Sequence, residues 1–487
     1  MPTDSAAVVV VGGGLAGIAT AMVLAERGIP VALFEAEPYL GGRAGAWPDR
    51  LSDGTPFHME RGFHAFFRHY LMLRALMRRV NPGLDLLHPL SDYPIVAPHG
   101  LQASFEHLPT RMPFQLIEVI RRTPSLRGPS LLRVSIRDAI EMLCFDPEKT
   151  YERWDHLRAA EYLDRLRFPK EARALLFDVF AHSFFNPEDD YSAAELLAMF
   201  HFYFFGNPHG LVFDVMRRPY SVLFDALEAR LRRLGVEVCK GERVHRIALH
   251  KGGVRVESER QSKEAGFAVL ALSVPALKAL CASSKDALPR EIVEQAEALA
   301  PTLPFVVWRL FLDAPVAPKR PPFVGTTGFG ILDNVSIYER LEDESRAWAD
   351  RRGGSVVELH AYAIDPRRSE KSVREELLSA LHALYPETRK AQIIEERFLW
   401  RADCPAFRPG DHKKRLSVKS SNPHLYFAGD FVRLPFPSAL MERAVSSGVI
   451  AGNAIAAKFG RTPEPLLHLP ERGILAQAAK KLTWLWN

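Results

Sequence analysis

The sequence predicts an α/β fold in which a parallel-sheet domain is interleaved with a second domain of mixed sheet and helices. Three observations predict it. Residues 8–35 read as strand, glycine turn, helix and strand. An apolar strand near residue 425 ends in Gly429-Asp430 and leads into a long helix. Between these two units, residues 84–213 lose the glycine-turn pattern and show helical periodicity instead.

The first unit is built from parts with separate physical roles. Four valines, 8–11, suit a buried strand, and Gly12-x-Gly14-x-x-Gly17 follows at once, with Ala16 inside it. Gly12 allows a tight turn, Gly14 has no Cβ to hold off a pyrophosphate, and Gly17 lets helix and strand pack closely. The N-terminus of the helix that follows offers free N–H groups and partial positive charge to phosphate. A second strand ends on Glu35, where a carboxylate can accept hydrogen bonds from a ribose. The unit is Rossmann-like, and its expected ligand is an adenine dinucleotide.

A chain of 487 residues is too long for one ordinary core. With 47% hydrophobic and 25% charged residues it is globular rather than disordered. A net charge of +5 makes no case for nucleic acid and slightly favours an anionic membrane surface. Cys144, Cys239, Cys281 and Cys404 are widely spaced, without a C-x-x-C, so they read as reduced thiols in a cytoplasmic protein with no metal site. The apolar stretch 6–25 contains three consecutive glycines and fits strand-turn-helix better than a signal peptide or membrane span.

Farther on, residues 57–70 are dense in aromatics and histidines around Gly62, and precede an amphipathic helix expected over 69–80. Helices are expected over 113–122, 130–143, 159–166 and 170–181. Ser192-x-x-Glu195 reads as a capping box opening a helix through residue 205, whose aromatic run 200–205 suits either a buried helix or the wall of an apolar tunnel. The glycine grammar returns with a helix over 222–234, a strand over 236–239 and a hairpin about Lys251-Gly252-Gly253. Strands are expected over 305–312, 356–363 and 393–400, with a helix capped at Ser372 and ending near residue 385. In the last residues, 474–486, Lys480 and Lys481 beside Trp484 and Trp486 suit a membrane interface or a docked helix.

Leu40-Gly41-Gly42-Arg43 resembles the second glycine pair and arginine of the FAD-dependent amine oxidase and carotenoid desaturase superfamily. The resemblance implies FAD, with Gly42 and Arg43 beside its phosphates, Val244 holding adenine through its backbone, Asp430 after Gly429 at the ribityl or pyrophosphate region, and the helix N-terminus at Met441 aimed at the pyrimidine end of the flavin. Three blocks, GFHAFFRHYLMLRALMRR, AHSFFNPEDDYSAAELLAMFHFYFFG and GDFVRLPFPSALMERAVSSG, are similar to the isorenieratene synthase type of carotenoid desaturase/methyltransferase. That family resemblance implies conversion of β-ring end groups of a carotene to aromatic φ or χ rings. It passes the Gly62-Phe63 backbone by the flavin and makes His64 the candidate proton acceptor. The expected organisation is an FAD-binding domain from 1–80, 219–300 and 401–462, a substrate domain from 81–218 and 301–400, and a tail, 463–487. The expected partners are a carotenoid, a membrane surface on the inner face of the cell membrane and a membrane quinone as electron acceptor. The alternatives are a linear carotene desaturase, an amine oxidase, and a redox-silent isoprenoid-binding protein like the Rab GDP-dissociation inhibitors.

Overall fold

A computed structural model describes residues 7–476 except 91, 105, 110–113, 115–117, 119–120, 123–132, 168–172, 174–183 and 211. The helices expected over 113–122 and 170–181 lie mostly outside the described residues, as does most of the 474–486 segment.

A five-stranded, all-parallel sheet runs in the order Glu237–Lys240, Val31–Glu35, Val8–Val11, Phe267–Leu270, Leu425–Phe427. Its middle strand is the valine run, all but inaccessible to water, as a parallel strand covered on both faces must be. The helix Leu15–Ala25 is buried along its whole length. It owes this to the C-terminal helix Leu440–Lys458, which packs against it. A Cβ at Gly448 would lie 2.2 Å from the carbonyl oxygen of Ala16, so only glycine permits this contact. Thr20 closes the seam, its hydroxyl donating to the carbonyls of Ala16 and Gly448.

The second sheet has seven strands, in the order Ile393–Arg401, Phe305–Leu312, Ser355–Ala361, Asn334–Ile337, Phe323–Thr326, Ile95–Ala97, Gly100–Ala103. It is antiparallel except between Phe323–Thr326 and Ile95–Ala97. Its strands come from two separate parts of the chain, so the chain visits each sheet more than once. The hairpin Val244–His250 and Gly253–Ser258 is present, extended to three strands by Ser262–Ala265.

Three local expectations are corrected. The helix ending near residue 385 begins at Glu370, not after Ser372: Ser369 is its cap, accepting from the Ser372 N–H. The aromatic helix is α-helical over Ala193–Phe200 and then turns π-helical over His201–Phe205, a wider turn that recurs at functional sites. The capping box is half made. Ser192 accepts from the Glu195 N–H, but the Glu195 carboxylate turns inward. There it meets Arg415 at 3.1 Å, Arg443 and the Tyr151 hydroxyl, fully buried.

This cluster ties the helical segment to the C-terminal helix. Burial raises the Glu195 pKa, but the two guanidiniums outweigh it and hold the carboxyl near 2, below its ordinary 4.5. A carboxyl with a depressed folded pKa stabilises the fold above its unfolded pKa and loses that contribution as pH falls through the folded one. The contribution is therefore lost between about pH 4.5 and about pH 2. Glu195→Gln, which strands two buried cations, is expected to cost about 3–5 kcal/mol. Urea unfolding of both proteins across the acid range checks both points.

Candidate functional site

The glycine turn joins the strand Val8–Val11 to a helix whose N-cap, Gly14, carries no side-chain cap, so its first N–H groups are free for a ligand. Gly12 adopts φ +109°, and a Cβ there would sit 2.3 Å from the Ala271 carbonyl. At Gly14 a Cβ would meet nothing nearer than Gly42 Cα at 3.9 Å; it would fill the cleft itself. The second glycine pair is held to the first turn by Gly41 N–H donating to Gly13 O at 2.8 Å. Glu35 accepts from the N–H groups of Gly13 and Glu37, and burial raises its pKa. Opposite, Arg43 pairs with Asp430 at 2.6 Å, and the Gly429 N–H donates to Ser447 inside the C-terminal helix. Leu440, first in that helix, takes the left-handed φ of +48°, a strained geometry of the kind that clusters at ligand sites.

These groups line a single cavity of about 690 Å³, a volume typical of a ligand site. Every sequence-predicted residue lines it except two. Gly12, Gly14, Ala16, Glu35, Gly42, Arg43, Phe63, His64, Val244, Gly429, Asp430 and Met441 all face it. Gly17 instead packs on the Gly12 carbonyl, which a Cβ would approach to 1.9 Å. Gly62 is corrected. Its missing Cβ makes room for His360 and Val307, at 2.7 and 2.9 Å, rather than for a cofactor. The aromatic run is corrected in part. Tyr203 is its only described side chain on the cavity, while Phe200, Phe202 and Phe204 are core.

Beyond the dinucleotide cleft the cavity becomes aromatic, walled by Phe63, Phe67, Phe184, Phe185, Phe213 and Phe323. Phe63 stacks on Phe323 with centroids 4.6 Å apart, and Phe213 meets both edge-on. Arg61, at the wall, is paired with Asp403, as Arg43 is with Asp430. Cys404 also lines the wall, and burial pushes its thiol up to about 12, so it is not a thiolate. His64 donates from Nδ1 to Gly62 O at 2.7 Å. The imidazole is thereby fixed with its free lone pair on Nε2. Burial lowers its pKa to about 4, so it is neutral at pH 7. The described residues contain no cluster able to hold a metal ion.

Sequence reasoning missed a polar ladder on the wall. Glu358, His360 and Tyr362 alternate along and just past the strand Ser355–Ala361 and so share one face. Polar residues at every second position of an otherwise apolar strand were the available signal.

The residues present fit a flavin dinucleotide: the Gly14 cradle is open where a Cβ would fill it, and the cleft leads straight into the aromatic chamber. Arg43→Ala, which leaves Asp430 unpaired against the cleft, is expected to purify with at least tenfold less flavin at unchanged yield, read from the visible absorbance.

Comparison with known proteins agrees with this geometry. The flavin containing amine oxidoreductase family matches residues 15–456. The chain is 43% identical over 472 residues to a carotenoid phi-ring synthase of Streptomyces griseus, covering 96% of this chain and 91% of that one. It is 29% identical to a carotenoid phi-ring synthase of Chlorobaculum tepidum, with the same coverages. Among solved structures, putrescine oxidase aligns with a TM-score of 0.67 at 15% identity, covering 92% of this chain and 98% of that one. Cyclohexylamine oxidase of Brevibacterium oxydans gives the same TM-score at 16% identity, covering 94% of this chain and all of its own. The fold, the cleft and these matches lead to one assignment: the chain belongs to the flavin containing amine oxidoreductase family, and its cofactor is FAD.

Proposed function

We propose that this protein is a carotenoid desaturase that converts β-ring end groups to aromatic rings, by desaturation with methyl migration. The observation that carries the reading is the continuity of the dinucleotide cleft with an aromatic chamber whose two wall arginines are each neutralised by an aspartate. The names of the two phi-ring synthases support it. A carotene has no ionisable group, so it needs neither an arginine clamp nor an oxyanion hole.

FAD, when bound, supplies the sink for hydride from an allylic ring carbon. The remaining tasks fall to the chain. The ring faces of Phe63, Phe213 and Phe323 stabilise positive charge spread over the substrate, by up to about 2 kcal/mol each when desolvated. The same rings exclude water that would trap a cation. His64 Nε2, neutral and unprotonated at pH 7, accepts a proton from the ring. Its low basicity suits the task, since a carbon next to a cation is a strong acid and needs only a weak base.

Expression in cells that accumulate β-carotene, followed by pigment analysis, tests this directly. An aromatic end group is expected. Unchanged β-carotene, with conversion in a phytoene-accumulating host, would replace the reading with desaturation of a linear carotene.

We propose further that the enzyme works at a lipid surface, on the inner face of the cell membrane, with a quinone dissolved there as electron acceptor; the apolar substrate supports this. Among the described residues no helix is long and apolar enough to cross a membrane. Leu466, Leu467 and Ile474 are exposed in the C-terminal segment. Sedimentation with liposomes containing anionic lipid is expected to pellet the protein at low salt. Protein left in the supernatant would refute the membrane contact.

A further inference from the structure

Turning a β-ring into an aromatic ring removes four hydrogens, as two hydrides and two protons. Bound FAD would supply the sink for the hydrides, with the proposed quinone regenerating it between them, but His64 is a single proton acceptor. We infer that Tyr362 is the second, acting as the mouth of a relay to His360, which Glu358 holds from behind. The inference rests on the aromatising function proposed above and names a further catalytic residue for it.

The geometry allows one consistent direction for each hydrogen in the relay when His360 carries its hydrogen on Nε2. Glu358 is completely buried; its Oε2 accepts from Arg309 Nε at 2.9 Å and lies 2.7 Å from Nη2 of the same guanidinium. Its Oε1 lies 2.8 Å from His360 Nε2. Burial raises the Glu358 pKa, but Arg309 and His360 prevail and hold it near 2, so it is an anion and can only accept. His360 Nε2 therefore carries hydrogen. An imidazole protonated on Nε2 alone offers Nδ1 as an acceptor, and the Tyr362 hydroxyl, 2.7 Å away, is placed to donate to it. Asn334 Nδ2 donates to the same Tyr362 oxygen at 3.1 Å. Tyr362, His360 and Asn334 all line the cavity. The backbone turns sharply just beyond, where Ala363 takes a left-handed φ of +51°, strain of the kind held at working sites.

The step balances. A C–H bond of the cationic ring breaks and its electron pair enters the ring. Tyr362 Oη takes the proton as its own hydrogen passes to His360 Nδ1. The imidazolium so formed is held at Nε2 by Glu358, whose other oxygen stays on Arg309. Tyr362 ends as it began, a neutral phenol, which matters because burial raises its pKa. A tyrosinate is never exposed in the apolar chamber. The proton goes back through Tyr362 to water once product leaves.

Gly62 belongs to the same device. A side chain there would strike His360 Cε1, and the Phe63 N–H donates to Glu358 Oε1 at 2.9 Å. The loop that carries His64 is thus seated on the relay.

The test compares wild type and Tyr362→Phe, both FAD-loaded and supplied with a soluble quinone to reoxidise the flavin, converting β-carotene in H₂O and D₂O. Tyr362→Phe is expected to keep its flavin content and to form aromatic product at least about 100-fold more slowly, the usual scale for losing a proton-transfer group. Wild type is expected to slow in D₂O and the variant to lose that dependence, a signature that a merely structural tyrosine would not show. If Tyr362→Phe fails to bind FAD, His360→Gln carries the same expectation, since it can bridge its neighbours but cannot take a proton. A variant within threefold of wild type, or with an unchanged D₂O effect, overturns the relay alone. Wild type that makes no aromatic ring overturns the function on which the relay rests.

Discussion

The negative charge of Glu358 is the constraint on which the chamber depends. It lies where no water reaches, at 0% exposure, and isolated burial of a carboxylate would cost far more than a fold can spare. Three partners make it tolerable: the Arg309 guanidinium, the His360 ring and the Phe63 N–H. Each partner fixes something the site needs. Arg309 reaches on to the carbonyl of His58 and towards Glu60, joining the seven-stranded sheet to the hairpin Ala46–Arg50 and Pro56–Glu60. His360 is held in one tautomer. Phe63, and with it His64, is placed against the cavity. Loss of the carboxylate would free the loop and strand the arginine at the same time.

Glu195 plays the comparable part at the other end. It joins the helical segment to the helix Leu440–Lys458, whose strained first residue borders the cleft. Both walls of the cavity are therefore anchored by buried anions paired with arginines. Such clusters are weak contributors to net stability but severe on any alternative packing that would leave one member alone. That suits a chamber which must stay open although it is walled by rings that would gain by collapsing on one another.

The sheet around the cofactor cleft was legible because its signals are local. A turn that needs Gly12 and Gly14, an acid at Glu35 and the Gly429-Asp430 pair are each set by a few neighbouring residues. The chamber was legible only in character. Aromatic density marked 57–70 and 200–205, but which rings face the void depends on phase. The π-helical turn His201–Phe205 shifts that phase in a way no helical period predicts, so Tyr203 faces inward while its neighbours are core. Gly62 was legible as a close approach, but the partner proved to be His360, some three hundred residues on. The same distance hid the ladder Glu358, His360, Tyr362. A capping box was a sound local reading of Ser192 and Glu195, yet Arg415 and Arg443, remote in sequence, claimed the carboxylate.

The single cavity has a consequence for how a long, two-headed molecule is handled. Cleft and chamber together offer about 690 Å³, and the dinucleotide must occupy much of that. On the proposed function, the described part of the cavity then has room for one end group of a C40 chain, and the remainder extends beyond it. If the proposed activity acts on both extremities, a symmetrical pigment would have to back out and reinsert tail-first, and half-converted molecules would build up whenever exit outpaced re-entry.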